Sequence, residues 1–136
     1  MKLLMIYADK FAYKTRKRTL EEVEAIEKND KIENALVGFI QAEKQDEENV
    51  SKVETKLIKN LKWAANKNDT KRIVLHSFAH LSYSKADQEI TQKMFDSAQQ
   101  RLENAGYESW QTPFGYFLDL DMQAPGKSLA RVFKEF

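Results

Sequence analysis

The chain has 136 residues, of which 42% are hydrophobic and 32% charged, and its formal net charge is +1. This length and composition predict one folded domain over residues 1–136, and they argue against a disordered chain or a basic protein that coats duplex nucleic acid. The chain has no cysteine, which excludes disulfides and thiolate metal sites, and we expect no bound metal. No apolar run is long enough for a membrane span or a signal peptide, so a cytoplasmic protein is expected.

The first third of the chain predicts three strands. The apolar run over residues 2–8 is typical of a buried strand, and Asp9-Lys10 is interpreted as a turn. Alternating large and small residues over 11–15 then predict a second strand paired back on the first. The Glu- and Lys-rich stretch 19–31 is predicted to be a loop with a short helical piece. The near-continuous apolar run within residues 35–43 is typical of an inner strand.

Two amphipathic helices are predicted in the middle of the chain. Apolar residues recur at helical spacing over 50–65 and again over 90–105. Between the two helices, residues 73–75 predict a short buried strand that leads into a loop. Ser84 fits the N-cap of the second helix, with Asp87 in the capping-box position. The glycine that follows this helix suits a left-handed C′ position.

The end of the chain predicts two strands and a short helix. The strands are expected over 107–111 and 116–121, separated by a bend that contains Pro and Gly. A closing helix is predicted over 128–136. Together the elements predict an α/β (α+β) fold, with a layered mixed β-sheet and two long helices. The inward-facing residues of the closing helix are predicted to be Leu129, Val132 and Phe133.

His80 is the first candidate for chemistry. It lies in the loop after the predicted strand 73–75, and ligands of open α/β sheets bind outside the carboxyl ends of the strands. Histidine is the side chain best suited to exchange protons near neutral pH. Two interpretations of His80 stay open: a proton shuttle or ligand contact, and a loop histidine that is hydrogen-bonded to backbone. His76 continues the strand and is interpreted as structural.

A basic cluster and three carboxylates have two interpretations each. The cluster is either a solvated turn or a phosphate contact. The carboxylates could serve a metal or acid–base chemistry, but their spacing favours a solvent-facing strand surface. The chain has no Walker loop and no GxGxxG, HExxH or GxSxG motif. The residues concerned are Lys14, Arg16, Lys17 and Arg18 for the cluster, and Asp9, Asp119 and Asp121 for the carboxylates.

Three segments occur in an order and spacing that are typical of one protein family. They are Leu4-Met5-Ile6-Tyr7-Ala8-Asp9, Phe78-Ala79-His80-Leu81-Ser82 and Pro113-Phe114-Gly115-Tyr116. With these segments the chain resembles, over nearly its whole length, the N-terminal editing domain of archaeal-type threonyl-tRNA synthetases. The resemblance implies a fold like that of the D-aminoacyl-tRNA deacylases.

The resemblance also implies an activity, the hydrolysis of seryl-tRNA mischarged on the threonine tRNA. Serine lacks one methyl group of threonine, and a synthetic pocket gains about 1–3 kcal/mol of discrimination from such a difference. A second, hydrolytic site is therefore needed. In this family the terminal ribose hydroxyl of the tRNA helps to activate the attacking water, and the protein positions the ester. No cofactor is implied.

The site residues are carried over from the family motifs. His80 and Tyr116 are implied as the catalytic polar residues of the pocket. Phe117 and Leu118 stand where the family commonly carries a tyrosine and then a lysine, and Arg131 stands where it carries a glutamate. Backbone amides around Ala79 and Gly115 are candidate donors to the ester carbonyl or ribose. The implied substrate-binding residues are Ala42, Phe78, Ala79, Phe114, Gly115, Phe117, Leu118 and Arg131.

The implied partners are the 3′ aminoacyl end of tRNA(Thr), a second copy in a homodimer, and the synthetase catalytic domains in cis or in trans. No membrane contact is implied. Phe11 and Tyr13, interpreted as apolar strand edges, are a further reason to expect the dimer. The departures at Leu118 and Arg131 leave two alternatives open. One is a degenerate, non-catalytic editing fold that serves dimerisation or tRNA docking, and the other is a deacylase for a D-aminoacyl-tRNA ester.

Overall fold

The computed structural model describes residues 1–18 and 28–136, in which six strands form one mixed sheet. The strand order is β4-β3-β2-β1-β5, and β6 also pairs with β1. β2, β3 and β4 are parallel, whereas β1 is antiparallel to β2, β5 and β6. The predicted fold class, a mixed sheet with two long helices, is confirmed. The strands are β1 (Lys2–Arg18), β2 (Asn29–Gln41), β3 (Arg72–Ser77), β4 (Glu108–Gln111), β5 (Tyr116–Gln123) and β6 (Arg131–Glu135).

Both predicted helices are confirmed, as α1 (Val50–Lys67) and α2 (Gln88–Asn104), with a 3-10 helix (Lys44–Asn49) before α1. The start predicted for α2 is wrong. Asp87 is the N-cap, and its carboxylate accepts hydrogen bonds from the second and third N–H groups beyond it, at 2.9 and 3.3 Å. Ser84 lies outside the helix because its hydroxyl is engaged elsewhere, by the N–H of Lys44 at 2.9 Å. None of the described helices is long and apolar enough to cross a membrane.

β1 is one continuous strand, so the turn predicted at Asp9-Lys10 and the separate strand over 11–15 are wrong. The strand instead changes its buried face at this point. Leu3 belongs to the cluster under the helices, whereas Phe11 belongs to the cluster on the other face of the sheet. In β2, Asn34 lies between the partners of Ala8 and Lys10 and has a φ of 51°. In a strand every second side chain is buried, and a break in this alternation looks like a turn in the sequence. This explains the wrong prediction.

The length of β1 decides the topology of the sheet. β2 pairs along one edge of β1, while β6 pairs with residues 2–6 and β5 with residues 10–18 on the other. β1 is therefore central, and Phe11 and Tyr13 are 0% and 5% exposed. They are not uncovered strand edges, so this reason for expecting a dimer is wrong. Of the loop predicted over 19–31, residues 19–27 lie outside the described part of the chain, and residues 29–31 belong to β2.

The closing helix predicted over 128–136 is also wrong, because β6 occupies this part of the chain. Nine residues make a marginal helix on their own, and a strand here pairs the edge of β1 that would otherwise stay open. The side-chain assignments change with the element. Val132 packs against the core under the helices, whereas Leu129 and Phe133 are 41% and 50% exposed. The strands predicted over 107–111 and 116–121 correspond to β4 and β5.

The sheet buries both of its faces. One face packs against α1 and α2, through side chains such as Leu57, Leu61 and Phe95. The other face holds a second apolar cluster that includes Phe11, Phe39 and Val74. The carboxyl ends of β2 and β3 meet at one edge of this double-sided core. That edge carries the pocket described below.

Candidate functional site

A cavity of about 440 Å³ lies at the carboxyl ends of β2 and β3, within the usual size range of small-molecule sites. Its walls come from the end of β2, the loop after β3, the start of α2, and the bend that leads into β5. We call the loop of residues 78–86 the histidine loop. The structure brings nine of the ten sequence-predicted site residues to this cavity. They are Ala42, Phe78, Ala79, His80, Phe114, Gly115, Tyr116, Phe117 and Leu118.

Arg131 is the predicted site residue that does not line this cavity. It starts β6, opposite Ile6 of β1. Its side chain is exposed, and its guanidinium donates to the backbone oxygen of Ala124 at 3.2 Å. The positive charge at this position is therefore held against the turn before β6.

One wall of the cavity is a series of aromatic rings. The rings of Phe39 and Phe78 meet edge to face with centroids 5.1 Å apart, and those of Phe78 and His80 are 4.8 Å apart. Such ring pairs hold each other in place through their quadrupoles and contact area. His80 stands at the exposed end of the series, so its imidazole is presented to the cavity by a fixed neighbour.

His76 joins the two walls of the cavity. It lies near the end of β3, is 6% exposed, and its Nδ1 is 2.8 Å from the hydroxyl oxygen of Thr112. Thr112 begins the bend that carries Phe114 and Gly115, and its N–H donates to the backbone oxygen of Leu75 at 3.1 Å. Burial, helped by the charge of His80, lowers the pKa of His76 to about 4. The imidazole is therefore neutral at physiological pH and lines the cavity as a fixed polar group.

The opposite wall is the start of β5. Leu118 is half-buried and packs against the second apolar cluster, while Phe117 is 53% exposed at the cavity mouth. The strand register sets Phe117 beside Lys17 and Tyr116 beside Arg18 of β1. The basic end of β1 thus runs along this wall as part of a strand. These residues belong to a strand, so the turn in this interpretation is wrong, whereas Lys14 and Arg16 are exposed to solvent as it expects. The phosphate contact stays a prediction.

Acidic residues of β5 form ion pairs with basic residues of β1. Asp119 lies 2.7 Å from the guanidinium of Arg16, and Asp121 lies 3.0 Å from the amino group of Lys10. The hydrogen bond from Arg16 lowers the pKa of Asp119. Both aspartates are exposed on the strand surface, as predicted. Over residues 1–18 and 28–136, no group of three or more His, Asp or Glu side chains is placed to hold a metal ion.

Sequence reasoning missed several residues that line the cavity. Gln41 is the most informative of them, because it is a polar residue that ends a run of buried apolar residues in β2. A polar side chain at the carboxyl end of an inner strand is a signal that could have identified it. His76 was interpreted as structural and also lines the cavity. The remaining lining residues are Ile40, Ser77, Lys85, Ala86, Gln88, Thr91, Pro113 and Leu120.

A second cavity of about 410 Å³ lies at the opposite end of the sheet, beside the starts of β3 and β4. Its wall includes the carboxylates of Asp30, Glu33 and Glu108 together with Lys31, Arg72 and Trp110. Lys31 lies 3.2 Å from Glu33 and Arg72 lies 3.8 Å from Glu108, so two of the three carboxylates are paired. None of the ten sequence-predicted site residues lines this cavity, and the cavity at the carboxyl ends of β2 and β3 is therefore the better candidate site.

Comparison with known proteins adds independent information. A family model described as the archaea-specific editing domain of threonyl-tRNA synthetase matches residues 1–136. Threonine–tRNA ligases of Methanosphaera stadtmanae and Thermococcus kodakarensis are 31% and 30% identical to this chain, over 134 and 135 residues. Each match covers 97% of this chain and 22% of the relative, so the chain spans about a fifth of the length of the curated relatives it matches.

A solved structure shares the fold. The c-Myc DNA unwinding element binding protein superposes with a TM-score of 0.68, covering 100% of this chain and 99% of its own. The two sequences are 13% identical. At this identity the likeness concerns the fold alone.

Proposed function

Because this chain belongs to the archaea-specific editing-domain family of threonyl-tRNA synthetases, we propose that it is an aminoacyl-tRNA hydrolase that removes serine from mischarged seryl-tRNA(Thr). The observation that carries the proposal is the cavity at the carboxyl ends of β2 and β3. Two separate segments, one with Phe78, Ala79 and His80 and one with Phe114, Gly115 and Tyr116, form its two walls. They belong to two of the three segments on which the family resemblance rests.

The reaction is hydrolysis of an ester. The oxygen of a water attacks the carbonyl carbon of the seryl group, the bond from that carbon to the ribose oxygen breaks, and the ribose oxygen takes up a proton. Serine and tRNA with a free terminal ribose leave. The terminal ribose hydroxyl of the tRNA assists the attack, so the protein mainly positions the ester and stabilises the developing charge.

The chain's own groups have distinct roles in this proposal. His80 and Tyr116 are the polar side chains that contact the aminoacyl end, from opposite walls of the cavity. Backbone N–H groups near Ala79 and Gly115 donate to the carbonyl or the ribose. Leu118 and Phe117 are apolar, so in this proposal they discriminate by bulk, which leaves no room for the extra methyl group of threonine.

A degenerate module without hydrolysis is the second candidate function. The observation that favours it is Leu118, whose half-buried aliphatic chain lines the cavity and cannot donate a hydrogen bond. Arg131 does not compensate, because its guanidinium is held at Ala124. In this reading the fold serves tRNA docking or dimerisation. A third candidate function is a deacylase for D-aminoacyl-tRNA, which a panel of aminoacyl-tRNA substrates would distinguish from the first two.

We also propose the assembly implied by the family. The single domain of residues 1–136 would act on the 3′ end of tRNA(Thr) in the cytoplasm, with the synthetase catalytic domains joined in cis or met in trans. A homodimer stays a prediction. Phe133, which is 50% exposed, is an apolar side chain that a second copy could cover. A monomeric mass in light scattering at micromolar concentration would contradict the dimer.

The test of the function is hydrolysis of seryl-tRNA(Thr) and threonyl-tRNA(Thr) by the purified chain. We expect rapid loss of serine with threonine spared. If a folded protein that binds tRNA releases neither amino acid, the degenerate module is the better conclusion. If the wild-type chain is inactive, the double variant Phe117→Tyr, Leu118→Lys provides a further test. Activity gained by this variant would show that the natural pocket has lost its polar groups.

A further inference from the structure

The histidine loop is attached to the end of β2 by one buried side chain. Gln41 is the last residue of β2 and is 3% exposed. Its Oε1 accepts hydrogen bonds from the N–H groups of Leu81 and Ser82, both at 2.7 Å. Its Nε2 donates to the backbone oxygens of Ser82 and Ser84, at 2.7 and 2.9 Å. The side chain therefore holds the loop on both sides of residue 82.

These four bonds use the whole hydrogen-bonding capacity of the amide. A glutamine side chain has two donor hydrogens and an oxygen with two lone pairs, and each is engaged by the loop backbone. The pairing also fixes which end of the amide faces which group, because two N–H groups require the oxygen and two carbonyls require the nitrogen. Gln41 lines the cavity but has no group left for a ligand. Its role in the site must be exerted through the loop.

Backbone contacts extend the same attachment to both ends of the loop. The N–H of Phe78 donates to the oxygen of Ile40, and the N–H of Ala86 donates to the oxygen of Ala42, both at 3.0 Å. Between these two points the loop has no regular secondary structure. Gln41 thus holds the backbone in the middle of the loop, directly after His80, while Glu43 accepts a hydrogen bond from the side chain of Ser82 at 2.7 Å.

We propose that Gln41 is a positioning residue of the site, which holds the histidine loop so that His80 faces the aminoacyl end of the tRNA. This proposal rests on the function proposed above. A loop without its own secondary structure would otherwise sample many conformations, and each would place the imidazole differently. A displacement of about 1 Å in a positioned group can lower the rate about a hundredfold.

The first test compares Gln41→Met, which removes all four bonds at similar volume, with Gln45→Met, an exposed glutamine of the neighbouring 3-10 helix. We expect Gln41→Met to lower kcat for seryl-tRNA(Thr) by about 10- to 100-fold, with a smaller change in KM. Amide exchange at Leu81 and Ser82 should become faster in the same variant. Gln45→Met should leave kcat, KM and both exchange rates unchanged.

A second variant covers the case in which Gln41→Met does not fold. Gln41→Glu keeps the oxygen that faces Leu81 and Ser82, but it sets a second oxygen against the carbonyls of Ser82 and Ser84. We expect an intermediate loss of kcat and an intermediate exchange rate. A folded Gln41 variant that keeps the wild-type kcat and slow exchange at both amides would overturn the proposal, whereas lost thermal stability with unchanged kcat would assign Gln41 a structural role.

An inactive wild-type chain would refute the proposed hydrolysis but would still allow the role of Gln41 to be tested. If the wild-type chain does not hydrolyse seryl-tRNA, the probe becomes an amide-linked 3′-seryl-amino-3′-deoxyadenosine, whose binding is measured by calorimetry. Gln41→Met should then weaken binding and speed amide exchange, although no hydrolysis occurs. Unchanged binding and unchanged exchange in that variant would reject the role of Gln41.

Discussion

At the scale of single residues, His76 shows how burial fixes the state of a polar group beside the site. Its imidazole is enclosed by the ring of Phe39, at a centroid distance of 5.1 Å, and by Thr112 at 2.8 Å. In this enclosure a charged imidazolium would lose its hydration, and the group within hydrogen-bond distance of its Nδ1 is the neutral hydroxyl of Thr112. His76 therefore differs from His80, which is exposed on the same cavity.

The lowered pKa of His76 predicts an acid-sensitive stability. The folded pKa of about 4 lies below the ordinary histidine pKa of 6.5, so the unfolded chain binds the proton more readily. The contribution is fully present above pH 6.5, is lost as the pH falls, and is exhausted below about pH 4. Between pH 7 and 5 the free energy of unfolding should fall by about 2 kcal/mol more in the wild type than in His76→Gln.

Denaturant unfolding at several pH values measures this difference. The carboxylates are common to both proteins, so their titration cancels in the comparison. If the stabilities of the wild type and of His76→Gln fall in parallel between pH 7 and 5, the imidazole is not held neutral by burial.

At the scale of elements, the point at which β1 changes its buried face lies opposite a residue of β2 that has a left-handed backbone conformation. Asn34 adopts a left-handed φ of 51°, which asparagine tolerates better than most residues, and its oxygen Oδ1 lies 3.3 Å from the hydroxyl of Tyr7. This residue lets β2 stay paired while the buried side of the hairpin changes. The long hairpin can then cover the second face of the sheet, where Phe11 and Ile32 are buried.

A pair of variants isolates the backbone contribution of Asn34. Both Asn34→Ala and Asn34→Gly lose the contact with Tyr7, but only glycine adopts a positive φ without strain. We expect Asn34→Ala to be less stable than Asn34→Gly by about 1 kcal/mol in urea unfolding, the cost of the left-handed conformation. Equal stabilities of the two variants would show that the strand does not require this conformation.

The same scale shows what the sequence could predict. α1 and α2 were predictable because each carries an apolar stripe over four or more turns, and the buried residues follow that stripe. β1 and β6 were not, because their form depends on partners far away in the chain. The site segments with His80 and Tyr116 were recognised from motifs. Gln41 was missed: its polar side chain at the end of an inner strand marked the position, but its four contacts are with residues about forty positions later, which no local pattern contains.

At the scale of the whole molecule, the start of β1 is connected to the site through Glu43. The α-amino group of Met1 lies 2.9 Å from Oε1 of Glu43 and 3.0 Å from Oδ2 of Asp46. The other carboxylate oxygen of Glu43 accepts a hydrogen bond from the hydroxyl of Ser82, in the histidine loop, at 2.7 Å. Phe136 closes the same region, since its N–H donates to the backbone oxygen of Met1 at 3.0 Å. Residues from the two ends of the sequence thus support the loop that carries His80.

This arrangement makes Glu43 a stabilising carboxylate whose effect depends on pH. Burial acts to raise its pKa, but the hydrogen bonds from Met1 and Ser82, together with nearby positive charges, outweigh burial and lower it. A lowered folded pKa means that the stabilisation is present above the ordinary glutamate pKa of 4.5 and is lost as the pH falls through the folded pKa. Glu43→Gln keeps a partner for Ser82 but removes the charge beside the buried ammonium, while Asp46 still pairs with it.

We therefore expect Glu43→Gln to lower the free energy of unfolding by about 1–3 kcal/mol at pH 7. The matched control is Glu48→Gln, an exposed glutamate of the same 3-10 helix, which should change stability by less than about 0.5 kcal/mol. Unfolding curves at pH 7 and at pH 3 test the cause of this loss of stability as well as its size. The deficit of Glu43→Gln should shrink at pH 3, because the carboxylate of the unfolded wild-type chain binds a proton below its usual pKa of 4.5, which removes part of the stabilisation. A deficit of the same size at both pH values would mean that Glu43 stabilises the chain through its shape and its hydrogen bond to Ser82, and not through its charge.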